Sequence, residues 1–167
     1  GGRDGGGSRA GDEIAGLVGA ASLRGGAGYG ARAPYSPLGE VGLAALRHSV
    51  ARQGGEVVST TRYQSTFQGI EEGARAYAAE HEAAEAIAPI QAVLLADQGQ
   101  ALQSAAAYLA YFDVSPQSTR FFGPGTWNDP GSTKEIALHG GWFAGPDQRL
   151  KQAFDSRYEA TYGAAPH

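Results

Sequence analysis

The chain has 167 residues, with 13 basic and 17 acidic side chains that give a net charge of -4, and it contains no cysteine. The basic residues form no patch interleaved with aromatic residues, which disfavours a nucleic-acid partner, and the lack of cysteine excludes disulfides and thiolate metal sites. No apolar run approaches the roughly 20 residues that a membrane-spanning helix needs.

The first ten residues are rich in glycine and are predicted to form a flexible segment, followed by a single α/β lobe over residues 11–167. The sequence contains no methionine, even at position 1, so we expect it to be a piece of a longer protein. Apolar residues at helical spacing predict a first helix over residues 11–24, and the glycines at positions 25 and 26 end it.

A strand, a helix and a second strand are predicted next. Residues 29–33 form the first strand. Ser36 as N-cap and Pro37 at the first helical position then start a helix that ends before Gly54. Residues 56–63 are rich in β-branched side chains, which favours a strand.

The following helix is predicted to begin at Ser65, whose spacing from Gln68 matches a capping box, and to run through about residue 86. Its predicted core-facing residues are Phe67, Ile70, Ala74, Tyr77 and Ala78.

Residues 90–97 (IQAVLLAD) form the clearest strand of the chain. Because its apolar run is uninterrupted, we expect both faces to be covered, which is typical of a parallel sheet with helices above and below. Asp97 and Gln100 form a second possible capping box, which would start a helix with an apolar inner face. The residues on that face are Leu102, Ala106, Leu109 and Phe112.

The last quarter of the chain is predicted to contain a strand over residues 119–123, a short helix after a possible box at Ser132 and Glu135, a strand over 141–144, and a helix from Pro146 to near Gly163. Alternation of strands and helices predicts an α/β fold with three αβα layers, a mostly parallel sheet and right-handed crossovers.

Ligands of open α/β sheets lie outside the carboxyl ends of the strands. This rule selects the residues that directly follow the predicted strands, and we expect them to cluster at one edge of the sheet and to face a cleft. They are Tyr35, Ser36, Asp97, Gln98, Gly125, Thr126, Trp127 and Asn128.

Three of these residues also have purely structural interpretations. The capping box favours helix capping over ligand contact for Asp97, and the position of Ser36 before Pro37 favours the same role. Trp127 would either form a stacking wall for a ligand or pack over the turn that Asn128 and the following residues set, and the sequence leaves both open.

No catalytic pattern stands out in the sequence. The segment HEAAE at residues 81–85 lacks the second histidine of a helical zinc-protease motif, so we expect no metal site there. The glycine-rich run at residues 25–30 precedes a strand instead of following one, which does not fit a dinucleotide loop. We therefore expect a protein that is not an enzyme and has no cofactor.

Three stretches together resemble the second lobe of a type I periplasmic binding protein of the leucine-binding-protein superfamily. They are residues 34–63, residues 92–116, and residues 120–130 with the following 140–166, within an overall match over residues 12–166. Within that superfamily, YFDV at 111–114, GTWND at 125–129 and WFAGPD at 142–147 are most similar to bacterial penicillin-binding-protein activators.

The resemblance implies two lobes that close on a small ligand, so we expect the first lobe to be missing from this chain. It also implies a periplasmic location and a regulator of peptidoglycan synthesis that acts by contact with a penicillin-binding protein. The alternative is the substrate-binding component of an ABC importer for amino acids or similar small molecules.

Overall fold

The computed structural model describes residues 5–22, 28–115, 119–145 and 150–152. The helices are α1 (Gly5–Ser22), α2 (Pro37–Arg52), α3 (Phe67–Glu85) and α4 (Gly99–Tyr111). The strands are β1 (Gly28–Pro34), β2 (Glu56–Tyr63), β3 (Ala92–Leu95), β4 (Arg120–Gly123), β5 (Trp142–Ala144) and β6 (Leu150–Gln152).

The strands form one sheet in the order β2-β1-β3-β4-β5-β6. Strands β1 to β5 pair in parallel, and β6 pairs antiparallel with β5. The prediction of an α/β fold with a mostly parallel sheet is therefore confirmed.

Strand β3 lies inside the sheet and is buried on both faces, as its apolar run predicts. Val93 and Leu95 pack into the core that α3 and α4 cover. Leu94 packs into the opposite core, which α1 and α2 cover. These alternating side chains place the sheet between two helical layers, because successive residues of a strand point to opposite faces.

Two predicted helix starts are wrong in detail, while the one at Ser36 is confirmed. The Ser36 hydroxyl accepts a hydrogen bond from the Gly39 amide at 3.1 Å. At α3 the N-cap is Thr66, one residue after the predicted Ser65, and its hydroxyl accepts from the Gly69 amide. At α4 the N-cap is Gln98.

Asp97 does not cap α4, which corrects the favoured interpretation of this residue. Its Oδ1 atom accepts from the adjacent Gln98 amide, and its Oδ2 atom accepts from the Tyr63 hydroxyl. Gly99 follows with a φ of +59°, a left-handed conformation that glycine adopts without a steric penalty. The chain thus turns between Asp97 and the helix, and the carboxylate is directed into the protein.

Other predicted elements differ from the structure at their ends. Residues 5–10, which the sequence assigns to a flexible segment, belong to α1. Phe67, predicted to face the core, is the first residue of α3 and is 74% exposed, with its ring in a T-shaped contact with that of Tyr108. The short helix predicted after Ser132 is replaced by two 3-10 turns, Ser132–Lys134 and Ile136–Leu138.

The helix predicted from Pro146 to near Gly163 lies largely outside the described residues. Within the described parts of the chain, no helix combines the length and the apolar character that crossing a membrane requires.

Candidate functional site

The candidate site lies where the strand order reverses direction. Strand β1 pairs with β2 on one side and with β3 on the other. Helix α2, which follows β1, packs on one face of the sheet, and α4, which follows β3, packs on the opposite face. The loops after β1 and β3 therefore diverge at their carboxyl ends, and this geometry opens the crevice in which open α/β sheets bind ligands.

Strands β1, β3 and β4 are parallel neighbours, so the predicted site residues that follow them lie along the same edge of the sheet. The Thr126 hydroxyl donates a hydrogen bond to the Asp97 carbonyl at 2.9 Å, which joins the loop after β4 to the end of β3. The Tyr35 amide donates to the Tyr63 carbonyl at 2.9 Å, which joins the loop after β1 to the end of β2.

The predicted site residues differ in their accessibility. Tyr35 is 56% exposed, and the guanidinium of Arg62 lies over its ring at 4.6 Å. Gln98 and Asn128 are also exposed, whereas Thr126 is half-buried. Ser36 and Gly125 are half-buried like Thr126, and contact of these six residues with a ligand stays a prediction.

Trp127 has the packed conformation, not that of a stacking wall. Only 2% of the residue is exposed, and its indole nitrogen donates to the Leu95 carbonyl at 3.1 Å. The indole stacks on Phe143 with ring centroids 6.3 Å apart. Trp127 thus lies beneath the loop after β4 and supports it from inside the core.

A buried polar network adjoins the site, and the sequence analysis selected only one of its members. Arg32 of β1 is fully buried and donates to the Ile70 carbonyl at 3.0 Å. Its guanidinium lies over the Tyr63 ring at 4.2 Å, and the Tyr63 hydroxyl donates to Asp97 at 2.6 Å. The network therefore connects three adjacent strands just below the loops of the site.

Burial and charge shift the pKa of each member of this network. Burial raises the pKa of Asp97, while the hydrogen bonds from Tyr63 and the Gln98 amide and the nearby Arg32 oppose the shift. Burial lowers the pKa of Arg32 to about 10. Burial and the adjacent Asp97 raise the pKa of Tyr63. Arg32 and Tyr63 keep their ordinary charges at neutral pH, so Arg32 offsets part of the cost of ionising Asp97.

One sequence signal points to Arg32 in retrospect. It is the only long charged side chain in β1, a strand otherwise made of small residues and one tyrosine. A buried charge requires partners, which spacing along the sequence does not identify.

A cavity of about 330 Å³ opens at the same edge of the sheet, on the side covered by α1 and α2. Its lining includes Arg9 and Glu13 of α1, Leu38 of α2, and Gly125, Thr126 and Asn128 of the loop after β4. Glu13 is only 6% exposed, and its Oε1 atom accepts from the Gly125 amide at 2.9 Å. Glu13 is not predictable from the sequence, because nothing in α1 indicates that this side chain reaches a loop 112 residues away.

No family model matches the chain, and no curated protein sequence matches it. Solved structures do match. A branched-chain amino acid ABC transporter periplasmic ligand-binding protein from Burkholderia xenovorans is 17% identical, with a TM-score of 0.65 over 95% of this chain and 41% of that one.

Two further matches were solved with ligands. A solute-binding protein of an ABC transporter from R. palustris, in complex with benzoate, is 18% identical, with a TM-score of 0.63 over 96% of this chain and 42% of that one. A branched-chain amino acid ABC transporter protein from Thermus thermophilus, with bound valine, is 14% identical, with a TM-score of 0.63 over 81% of this chain and 34% of that one.

The chain spans between about one third and two fifths of the length of these proteins. A periplasmic binding protein type 1 from Bordetella pertussis matches in the same way, at 18% identity and a TM-score of 0.62 over 93% of this chain and 41% of that one. The chain therefore has the α/β fold that type I periplasmic binding proteins contain.

Proposed function

We propose that this chain is a ligand-binding lobe of a periplasmic solute receptor that serves an ABC importer and performs no catalysis itself. The carrying observation is the crevice between the loops after β1 and β3, where the strand order reverses, beside the loop after β4 that Thr126 joins to the end of β3. The likeness in fold to ABC-transporter ligand-binding proteins supports the same proposal.

The chemistry of the edge suits the binding of a small molecule. Gln98, Thr126 and Asn128 offer polar groups to a ligand, and Tyr35 offers an exposed aromatic ring. Binding sites of this kind combine apolar surface with a few fixed polar groups. The hydrogen bond from Thr126 to the Asp97 carbonyl fixes one of those groups relative to the sheet.

The arrangement of Asp97 argues against a catalytic role for this carboxylate. Its two carboxylate oxygens accept hydrogen bonds from Tyr63 and from the Gln98 amide. A general base needs an oxygen within hydrogen-bond reach of a substrate proton, and Asp97 is buried beneath the accessible groups.

A second lobe of the same protein would form the opposite wall of the cleft. Such clefts bury most of a ligand's surface, so one wall alone provides only part of the contact. We expect this chain by itself to bind leucine, glutamate or short peptidoglycan peptides no tighter than about millimolar, which corresponds to only about 4 kcal/mol.

The second candidate function is regulation of peptidoglycan synthesis through contact with a penicillin-binding protein. The observation that favours it is the similarity of the segments at 111–114, 125–129 and 142–147 to penicillin-binding-protein activators. The genes that neighbour the complete gene distinguish the two candidate functions, because the gene of an importer receptor normally lies next to the genes of a permease and an ATPase.

Amide-resolved NMR titration of the chain tests the proposed function directly. Leucine, valine, glutamate, benzoate and short peptidoglycan peptides are added separately, at concentrations well above millimolar. A ligand of the proposed site is expected to shift the amide signals of Ser36, Gln98 and Thr126. The internal control is Val57, which lies near the amino end of β2 at the opposite edge and should not shift. Shifts confined to that opposite edge would contradict the proposal.

A further inference from the structure

A groove opens at the amino ends of the strands, away from the carboxyl ends that form the candidate site. Its volume is about 760 Å³, and it lies between β2, the second half of α3 and the segment that leads into β3. Its apolar lining includes Val57, Val58, Ala83, Ala84, Ile87 and Pro89. A small ligand at the carboxyl ends would not reach this groove, so the proposed receptor function leaves it without a role.

Two apolar side chains of the groove are exposed to solvent. Ile87 is 89% exposed and Val58 is 38% exposed. Val58 is the extra residue of a β-bulge, because its neighbours Val57 and Ser59 pair with consecutive residues of β1. Bulges at the edge of a sheet redirect a side chain and disturb the regular pattern of strand pairing. The groove therefore offers apolar side-chain contacts, and exposed apolar patches with a polar rim are typical of protein-binding surfaces.

The rim of the groove is acidic. Glu56 of β2 and Glu80 of α3 line it, and none of its described lining residues is basic. The Ser59 hydroxyl donates to Oε1 of Glu80 at 3.1 Å, which holds this carboxylate beside β2. Helix α3 then ends with Glu82 and Glu85 and has no basic residue in its last turn. Because the C-terminal end of a helix carries partial negative charge, a cation at this end of α3 would be stabilising.

Charge and shape together select the kind of molecule that fits the groove. Opposite charges across an interface favour the correct partner, and like charges oppose a wrong one. A second copy placed symmetrically would bring the acidic rim of one chain against that of the other, which disfavours self-association here. Ala83 and Ala88 line the groove and are exposed, so it is open along one side. Small-molecule sites bury most of their ligand, so an open groove suits a segment of another protein better.

We propose that the groove between β2, the second half of α3 and residues 86–91 binds a segment of a partner protein in which branched apolar residues are flanked by lysine or arginine. The apolar side chains of that segment cover Val58 and Ile87, and its cations pair with Glu56 and Glu80. The inference goes beyond the proposed function, because it concerns the other end of the strands and applies equally to a solute receptor and to a regulator.

Three seven-residue peptides with blocked ends are the probes. The first alternates lysine with valine, the second has glutamate in place of each lysine, and the third has serine in place of each valine. Each is titrated into the 167-residue chain while the amide signals of Val58, Ala84 and Ile87 are followed. The lysine–valine peptide is expected to shift these signals with a dissociation constant of about 0.1–1 mM and to bind more weakly in added salt. The amides of Gln98 and Thr126 are the internal control and should not shift.

Two substitutions of exposed residues separate the apolar and the charged contacts. Ile87→Ser is expected to weaken binding of the lysine–valine peptide about tenfold, within the range for burying a branched apolar side chain. Glu80→Gln keeps an oxygen that can accept from Ser59 but removes the charge, and it should weaken binding about two- to fivefold, the range for an exposed ion pair. The matched control is Glu72→Gln, which removes the same charge about two turns earlier in α3 and should leave binding unchanged.

Several outcomes would overturn the inference. Equal shifts with the glutamate peptide would remove recognition of charge, and equal shifts with the serine peptide would remove the apolar contact. Unchanged binding in either Ile87→Ser or Glu80→Gln would contradict the proposed contacts, and so would shifts confined to Gln98 and Thr126. Changes in the groove signals when the chain is diluted without peptide would identify a second copy as the occupant. The inference would also fail if no peptide shifted the groove signals at several millimolar.

Discussion

Removal of the Tyr63 hydroxyl should destabilise the protein in a way that depends on pH. In Tyr63→Phe the ring that lies under Arg32 remains, and only the hydrogen bond to Asp97 at 2.6 Å is lost. Hydrogen bonds to charged groups contribute about 1.5–3 kcal/mol, so we expect the free energy of unfolding at neutral pH to fall by about that amount. The same loss disfavours the ionised carboxylate, so the pKa of Asp97 should rise further in the variant.

The sign of the pH dependence follows from the raised pKa of Asp97. Burial lifts it above its ordinary value of 3.8, so the folded state holds this proton to higher pH than the unfolded state does. Stability from this group is therefore highest below the ordinary pKa and falls as pH rises through the folded value. Tyr63 limits that fall by stabilising the ionised form. The difference between the parent and Tyr63→Phe should accordingly be largest at neutral pH and shrink as Asp97 becomes protonated.

Urea unfolding followed by circular dichroism at neutral pH and at about pH 4 measures the loss of stability in Tyr63→Phe and its dependence on pH. Tyr35→Phe is the matched control, because Tyr35 is exposed and surface changes usually stay within about 0.5 kcal/mol. A loss in Tyr63→Phe that is equal at both pH values would refute donation to an ionised carboxylate. A loss at neutral pH no larger than that of the control would refute the contribution of the hydrogen bond.

Three further predictions concern the core and one helix start. Leu94→Asp should abolish the cooperative thermal transition, because an unpaired charge buried in the core between the sheet and helices α1 and α2 costs several kcal/mol. A melting temperature within about a degree of the parent would contradict this prediction. Gly30→Ala should lower the free energy of unfolding in urea by about 1–3 kcal/mol, because the new methyl group would overlap the Tyr77 hydroxyl. Adding Tyr77→Phe should restore part of that stability. If the double variant is less stable than Gly30→Ala, the overlap is not the cause. Thr66→Ala should destabilise the chain by about 1 kcal/mol while Ser65→Ala has little effect, and the reverse order would restore Ser65 as the cap.

The fold was largely predictable because its signals are local. The run around Leu94 is apolar at every position, and the signal for the start of α2 consists of only two adjacent residues, Ser36 and Pro37. The prediction for Phe67 is wrong because helical spacing defines a face of the helix but not how far the sheet extends beneath it. The prediction for Asp97 is wrong because the capping pattern competes with a hydrogen bond from Tyr63, which lies 34 residues earlier in the sequence.

The candidate site was predictable only in part. The rule about strand ends selected Gln98, Thr126 and Asn128, since it needs only the strand assignment. It could not select Arg32 or Glu13, because their partners lie on elements far away in the sequence and are brought close only by packing. These two buried charged side chains were therefore found from the structure alone.

The position of Trp127 determines how the loop after β4 would respond to a ligand. The indole fills the space beside Gly123 and Gly141, where added methyl groups would overlap its ring, and it is anchored to the Leu95 carbonyl. Fixing the backbone of one residue removes about 1–2 kcal/mol of conformational entropy. For this loop the loss occurs when the protein folds, before any ligand arrives. A molecule that contacts Thr126 or Asn128 meets a surface already in place, so ordering of this loop should not limit its association rate.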